Sequence, residues 1–574
     1  MTDSGSELDP YLDYLSLTIR TFNQLMSRIP GSEIIYRYIK SSHQNDPFRT
    51  LLELLLVFFV IRTWRQSRTR GDFGPDQSFL KLTEKEVDEL IAEWEPEPLV
   101  EPIPVTTQSL SRPPIIIGIP DVRPKILYGE PALRFVESSE DETTIDPKDI
   151  RTVTNLASIN FAGLIGDERV KLRAIEQLRR SGVGSCGPPG FYGTFDVHME
   201  LERDIAQFIG LPSSIIYAQG FSTTSSVIPA FSKRGDIIVV DRGANFSIQK
   251  GIQISRSTIR WYDHNDYNSL ERVLEQLKLE EIKFRRKLTR KFIITEGLFE
   301  CDGTLCNLKK IIELKEKYKF RLILDETWSI GSIGVTGRGL TEYFGIHPES
   351  VDILVGSLAT SFNSGGGFCA GSKEVVSHQR INSAALVFSA ALPPLLATAA
   401  SETIKILSEK DGLQRFERLR KNTEVFREIL DEIVEEGLVD VPSNRESPMV
   451  HINLRPMIGK SVSSSKRPSS SSSDTTTTTA TMTTTNATSR TTNKRNTNAS
   501  SVFEEHERIL QTIVDKSVLE KNVLITRTKK VWEQEIDPPL PSIRICLSAG
   551  LGVDEVSSSG KALVKVIREV LNFN

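Results

Sequence analysis

Between residues 155 and 454 two hydrophobic patterns alternate along the chain. Runs that are apolar at nearly every position (214–218, 236–241, 291–296, 321–325 and 352–356) read as strands buried on both faces. Between them, apolar residues fall at helical spacing. Leu270, Val273, Leu274 and Leu277 stand at i, i+3, i+4 and i+7, and Leu308, Ile311 and Ile312 repeat the pattern. The alternation predicts βαβ units and a mostly parallel, doubly wound sheet. A smaller C-terminal α+β domain follows. Its strands are expected at 449–454, 523–527 and 542–549, and its last helix is marked by Leu563, Val566, Ile567, Val570 and Leu571. Within it, residues 461–501 are almost pure Ser, Thr and Asn, cannot repay the entropy of folding, and are expected to form a disordered insert before a helix near Val502.

The N-terminal part differs. Acidic residues Asp3, Glu7, Asp9 and Asp13 break any signal-peptide pattern, and an amphipathic helix is expected within 1–47. The run LLELLLVFFVI (51–61) is interrupted only by Glu53. Eleven helical residues rise about 16 Å, against a hydrocarbon core of roughly 30 Å. Extended to 48–64, with Arg49 and Arg62 snorkelling and Trp64 at an interface, it is expected as a membrane helix; a buried or interfacial helix is the alternative. Arg62, Arg65, Arg68 and Arg70 then place the C-terminal side in the cytosol. From 65 to 150 a Pro-rich, acidic tether or strap is expected, because the proline density of EPEPLVEPIPV excludes regular helix. The expected units are therefore 1–47, 48–64, 65–150, a large domain at 151–400 and a small one at 401–574.

Composition narrows the function. In 574 residues Lys+Arg number 71 against 75 Asp+Glu, a net charge of -4, without the basic surplus that phosphate contacts demand; nucleic acid is not expected as a partner. Cys186, Cys301, Cys306, Cys369 and Cys546 are odd in number and without CxxC spacing. They suggest neither a disulfide framework nor a zinc site, so no metal is expected and a reducing compartment is.

Seven segments in order resemble the α-oxoamine synthase family: NLASINFAGL (155–164), GVGSCGPPGFYGTFDVHMELE (182–202), HNDYNSLE (264–271), TEGLFECDG (295–303), LDETWSIGSIGVTGRG (324–339), GSLATSFNSGGGF (356–368) and FSAALPP (388–394). The resemblance implies a fold-type I, aspartate aminotransferase-like pyridoxal-phosphate (PLP) transferase. Such chemistry needs an imine-forming lysine, an aspartate at the pyridine nitrogen, a group over the ring and a phosphate cradle. By the family's motifs Thr360 stands at the lysine position, Asn245 and Trp328 at histidine positions, and Pro189 at an arginine position; only Asp325 survives. Asp325 is then either a vestige of cofactor binding or a structural acceptor at a strand end. Gly365, Gly366 and Gly367 either cradle a phosphate or make a tight turn.

A persistent scaffold with lost chemistry resembles one branch, the non-catalytic long-chain-base subunits of eukaryotic serine palmitoyltransferase, to which SSHQNDPFR (41–49) and EWEPEPLV (93–100) are also similar. This resemblance implies several things. PLP is bound covalently by a homologous catalytic partner and not by this chain. The complex condenses L-serine with palmitoyl-CoA to 3-ketodihydrosphinganine, CO2 and CoA. A small activating subunit, Orm-type regulators and membrane lipid are further partners. The complex sits in the endoplasmic reticulum membrane with its fold facing the cytosol. Cys186, Gly187, Phe191, Tyr192 and Ser389 are implied to line a shared interface pocket, and Arg544 aligns with a substrate-carboxylate arginine that here joins a structural ion pair. Two alternatives stay open: a scaffold with no active-site contribution, and an autonomous synthase using a displaced lysine such as Lys373.

Overall fold

The structure, a computed structural model, describes residues 47–67, 84–94, 113–138, 145–284, 289–455, 497–529, 534–536 and 541–572, with positions 34, 37, 38 and 41. The chain divides into two compact units, Met1–Pro102 and Ile103–Asn574.

In the larger unit seven strands form the central sheet: β1 Ser213–Tyr217, β2 Ile237–Asp241, β3 Thr258–Tyr262, β4 Lys291–Glu296, β5 Arg321–Asp325, β6 Ile353–Ser357 and β7 Gly367–Gly371. Their order is β1-β7-β6-β5-β4-β2-β3. Strand β7 runs antiparallel to both β1 and β6, and every other pairing is parallel. The mostly parallel sheet is therefore as expected, with one reversed strand. Burial on both faces explains the continuous apolar runs. In β5, Leu322 and Leu324 join the main core, while Ile323 packs on the other face with Ile238, Ile294 and Val355. Helices cover the two faces. The expected helical periodicities appear as Tyr267–Phe284, which buries Leu270, Leu274 and Leu277, and Leu308–Tyr318, which buries Leu308 and Ile311. Two strands went unanticipated, β3 and β7. Arg260 interrupts the apolar run of β3, an edge strand, and the glycine-rich text of β7 reads as a turn.

A second sheet is built from β8 Val439–Asp440, β9 Met449–Leu454, β10 Thr526–Arg527 and β11 Ile543–Cys546, in the order β8-β9-β11-β10. The run expected at 523–527 splits, since Val523–Leu524 pairs instead with Thr154–Asn155. Helix Val553–Asn572 packs Leu563, Val566 and Ile567 into the main core, as the periodicity predicts.

The segment before residue 151 holds more than a tether. Ile115–Ile117, Lys125–Leu127 and Arg151–Thr152 form a three-stranded sheet, and helix Glu130–Ser138 follows the second strand. Ile126 is fully buried against Val153, Val518 and Leu524, while Arg123 pairs with Glu555 through both carboxylate oxygens. Residues 95–112 of the Pro-rich stretch, most of 1–47, and positions 461–496 of the Ser/Thr insert lie outside the described residues. Helix Thr497–Lys521 begins before Val502, so 497–501 are helical where disorder was expected.

The apolar run at 48–64 does form a helix, Pro47–Ser67, with Leu51, Leu52, Phe58, Phe59 and Trp64 exposed. It falls short of the expected span: among the described residues no helix is long and apolar enough to cross a membrane. Glu53, Arg49, Arg62 and Arg65 lie within its 21 residues and confine the apolar stretch to about three turns.

Candidate functional site

The C-terminal ends of β4 and β5 deliver two carboxylates side by side, since Glu296 pairs in register with Asp325. Asp325 is almost fully buried and its oxygens are engaged. Oδ1 accepts from the Thr327 N–H at 2.9 Å, and Oδ2 accepts from Thr224 Oγ1 at 3.1 Å and Asn245 Nδ2 at 3.4 Å. Burial pushes the Asp325 carboxyl above its ordinary value, and these donors oppose the shift. Asn245, at a histidine position, caps helix Phe246–Ser255: its side chain accepts from the Ile248 N–H at 3.0 Å. Its own N–H donates to Glu296 Oε1 at 2.6 Å. Glu296 is fully buried, and burial, then the neighbouring Asp325, drive its carboxyl well above the usual range. This centre is therefore a closed hydrogen-bond network of acids, amide and hydroxyls.

Thr360 lies in the loop between β6 and β7, buried, with its hydroxyl donating to the Thr327 carbonyl at 3.0 Å. Trp328 is buried one residue further along the β5 turn, and the Arg544 guanidinium sits 5.6 Å over its ring. Arg544, on β11, also faces Glu300 at 3.9 Å, so the structural ion pair expected for it is present. Lys373 is exposed at the start of helix Lys373–Asn382. It follows Gly371, which pairs with Ile353 at the start of β6, whereas Asp325 pairs with Val355. Lys373 thus lies past the end of the sheet opposite to the Asp325 turn. The glycine run has a steric reason: Gly366 has φ +96°, and a Cβ there would come within 2.3 Å of the Tyr217 carbonyl.

The remaining predicted residues cluster elsewhere. Residues 184–193 form a loop in which Gly193 comes so close to the Gly187 carbonyl that a Cβ would meet it at 2.0 Å. The buried Gly187 accepts from the Ala391 N–H at 3.0 Å, which brings the loop against the 388–392 segment that carries Ser389. His198 fixes the same junction, with Nε2 at 2.7 Å from the Leu392 carbonyl and Nδ1 accepting from the Phe195 N–H at 3.1 Å. Cys186 is exposed with φ 50°, and Ser389 is half-buried. Phe191, Tyr192 and Phe388 are 67%, 84% and 85% exposed. Pro189 is half-buried, and its carbonyl accepts from Thr194 Oγ1 at 2.6 Å. The predicted residues thus form two groups, one around Asp325 and one on this aromatic loop.

Comparison with known proteins bears on the family of the chain and on its fold. The profile of aminotransferase class I and II matches residues 151–466. Serine palmitoyltransferase 1 of Saccharomyces cerevisiae is 36% identical over 556 residues, spanning 95% of this chain and 93% of that protein. Serine palmitoyltransferase 1 of Dictyostelium discoideum is 38% identical over 507 residues (88% and 92%), and long chain base biosynthesis protein 1 of Arabidopsis thaliana is 34% identical over 504 (88% and 89%). The chain belongs to the serine palmitoyltransferase 1 family. Among solved structures, a serine palmitoyltransferase of S. paucimobilis bound to a PLP–myriocin aldimine superposes with a TM-score of 0.59 at 20% identity, covering 74% of this chain and 89% of that one. At that identity the likeness carries the fold: the fold-type I aminotransferase architecture with a mixed sheet.

Sequence reading of this family member missed Thr224, Glu296 and Glu326. Glu296 and Glu326 do carry a signal, a carboxylate at or just past the end of a buried apolar strand, whereas Asp325 is singled out by the family's motif. Glu326 is fully buried, accepts from the Leu340 N–H at 3.1 and 3.2 Å and from the Ser329 hydroxyl, and burial raises its carboxyl to about 7.

Proposed function

We propose that this chain is the non-catalytic subunit of a heteromeric serine palmitoyltransferase, the assembly that condenses L-serine with palmitoyl-CoA to 3-ketodihydrosphinganine, CO2 and CoA. The observation that carries the reading is the closed state of the Asp325 centre. Thr360 offers a hydroxyl, already bonded to Thr327, where an imine needs an amine, and both Asp325 oxygens are spent on Thr224, Asn245 and Thr327. These residues do not fit a covalently held PLP, so the cofactor belongs to a homologous catalytic partner. Kinship with proteins named serine palmitoyltransferase 1 supports the assignment of the reaction. The exposed position of Lys373, beyond the far end of the sheet, speaks against an autonomous enzyme using a displaced lysine.

The chain's own contribution is the aromatic loop. Cys186, Phe191 and Tyr192, braced through Gly187 against the Ser389 segment, offer the partner an exposed apolar surface. A small activating subunit and Orm-type regulators are further partners of such an assembly. Helix Pro47–Ser67, with its exposed apolar residues and flanking arginines, supports attachment to the cytosolic surface of the endoplasmic reticulum membrane, where a long-chain product must be delivered. The test is purification of the chain from its membranes in mild detergent, with PLP content and condensation activity read on the same sample. Cofactor and activity that arrive only with a homologous second subunit support the reading. PLP on the isolated chain would overturn it.

A further inference from the structure

Outside the Asp325 centre, three chain segments converge on His264, which follows β3. Its Nδ1 lies 2.7 Å from Asp241 Oδ1 at the end of β2, and its Nε2 lies 3.0 Å from Asp302 Oδ2 in the turn after β4. Cys301, half-buried, completes a group whose ligand atoms on His264, Cys301 and Asp302 all lie within 4.8 Å of one another. From this geometry we infer a zinc-class metal site, with His264 Nε2, Cys301 Sγ and Asp302 Oδ2 as ligands and water as the fourth.

Four features support it. Ligands around a tetrahedral ion with bonds of about 2.0–2.3 Å stand some 3–4 Å apart, so only small side-chain shifts close the set. Asp241, itself almost fully buried, holds the opposite nitrogen of His264; this carboxylate–imidazole arrangement fixes the tautomer and ring plane of metal-bound histidines. Asp302 is oriented likewise: its Oδ1 accepts from the Thr304 N–H at 2.9 Å and from Thr304 Oγ1 at 2.8 Å, which leaves Oδ2 facing His264. Phe299, fully buried, packs edge-on against the imidazole at 4.5 Å and walls one side, while His264 and Asp302 keep enough exposure for an ion to enter. The nitrogen, sulfur and oxygen set selects zinc-class ions over Mg2+ or Ca2+, which call for oxygen cages. Binding releases the Cys301 thiol proton and one imidazolium proton to solvent. A divalent cation thus replaces two protons, and the cluster's charge is unchanged.

The ion would brace a joint. The turn that carries Cys301 and Asp302 also meets the second sheet's neighbourhood: Ser443 Oγ donates to the Asp302 carbonyl at 2.6 Å, and the Leu305 N–H donates to Asn444 Oδ1 at 2.7 Å. The inference rests on the chain's own fold and holds whichever subunit carries the cofactor.

The test uses the full chain in its purified complex, stripped with a chelator and titrated with Zn2+ and Co2+. The expected result is one equivalent of tightly held metal per chain, with a thiolate-to-cobalt charge-transfer band. Cys301→Ser abolishes the band and weakens Zn2+ binding at least tenfold, while Cys186→Ser changes neither. Metal that is absent, or a band that survives Cys301→Ser, overturns the site. Because the variant could fold poorly, alkylation of Cys301 in the wild-type complex provides a second readout. Zn2+ should protect this thiol, and equal alkylation with and without Zn2+ would count against the site.

Discussion

The Thr360 hydroxyl donates to the Thr327 carbonyl at 3.0 Å, and the Thr327 N–H donates to Asp325. The loop between β6 and β7 is thereby tied to the turn that carries the surviving aspartate. Restoring the amine should not restore cofactor binding. Thr360→Lys deletes the tie and forces an ammonium into a site where the Asp325 oxygens are already occupied, with Trp328 and Asn245 where imidazoles would stand. The variant should show no imine absorption and no borohydride-trapped PLP, and should lose roughly 2 kcal/mol of stability, read from denaturant melts. A trapped PLP adduct at residue 360 would mean that the centre is open.

If Asp325 is a structural acceptor, its removal strands three donors. Asp325→Ala leaves Thr224 Oγ1, Asn245 Nδ2 and the Thr327 N–H without their acceptor, the first two on buried residues. Each unsatisfied buried group costs about 1–3 kcal/mol, reduced by relaxation, so a net loss near 2 kcal/mol is expected. Condensation activity per assembled complex should be unchanged. An activity loss without a stability loss would instead assign Asp325 to chemistry.

The contrast between Asp325 and its neighbours marks how far the sequence was legible. The strands that end in Glu296 and Asp325 are apolar in their interiors because both faces are buried, and that pattern needs no third dimension to read. Strand β7 is equally buried between β1 and β6, yet its glycines are there for close packing: a Cβ at Gly367 would meet Thr223 Oγ1 at 2.4 Å. Close packing of this kind leaves no β-propensity signal. The Thr224–Asp325 and Cys301–His264 relations join residues far apart in the chain, so spacing alone could not reveal them. The Pro47–Ser67 helix falls short of a span for a reason visible in the sequence, the charges embedded in it.

The aromatic loop should matter to assembly and not to folding. Phe191 is 67% exposed, and an exposed side chain contributes little to the stability of its own chain. Phe191→Ala should leave the thermal midpoint of the isolated chain within about 2 °C. A central aromatic anchor in an interface is worth about 2 kcal/mol, so affinity for the catalytic partner should fall about thirtyfold, read by titration of the two purified subunits. An unchanged affinity would place the interface elsewhere.

Glu326 should give stability a pH dependence of unusual sign. Burial raises its carboxyl from an ordinary 4.5 to about 7 in the folded chain, so between those values the folded state binds more protons than the unfolded one. Stability then falls as pH rises from 4.5 to 7, by up to roughly 3 kcal/mol, and is flat in this respect above 7. Glu326→Gln removes the ionisation. Its carbonyl can still accept from the Leu340 N–H and its amide can donate to Ser329 Oγ, so the turn keeps its bonds. Denaturant melts across pH 4.5–7 should show the variant's stability curve flatter than the wild type's, with the variant the more stable at pH 7. Parallel curves would mean that Glu326 titrates near its ordinary value and that its burial is relieved by water.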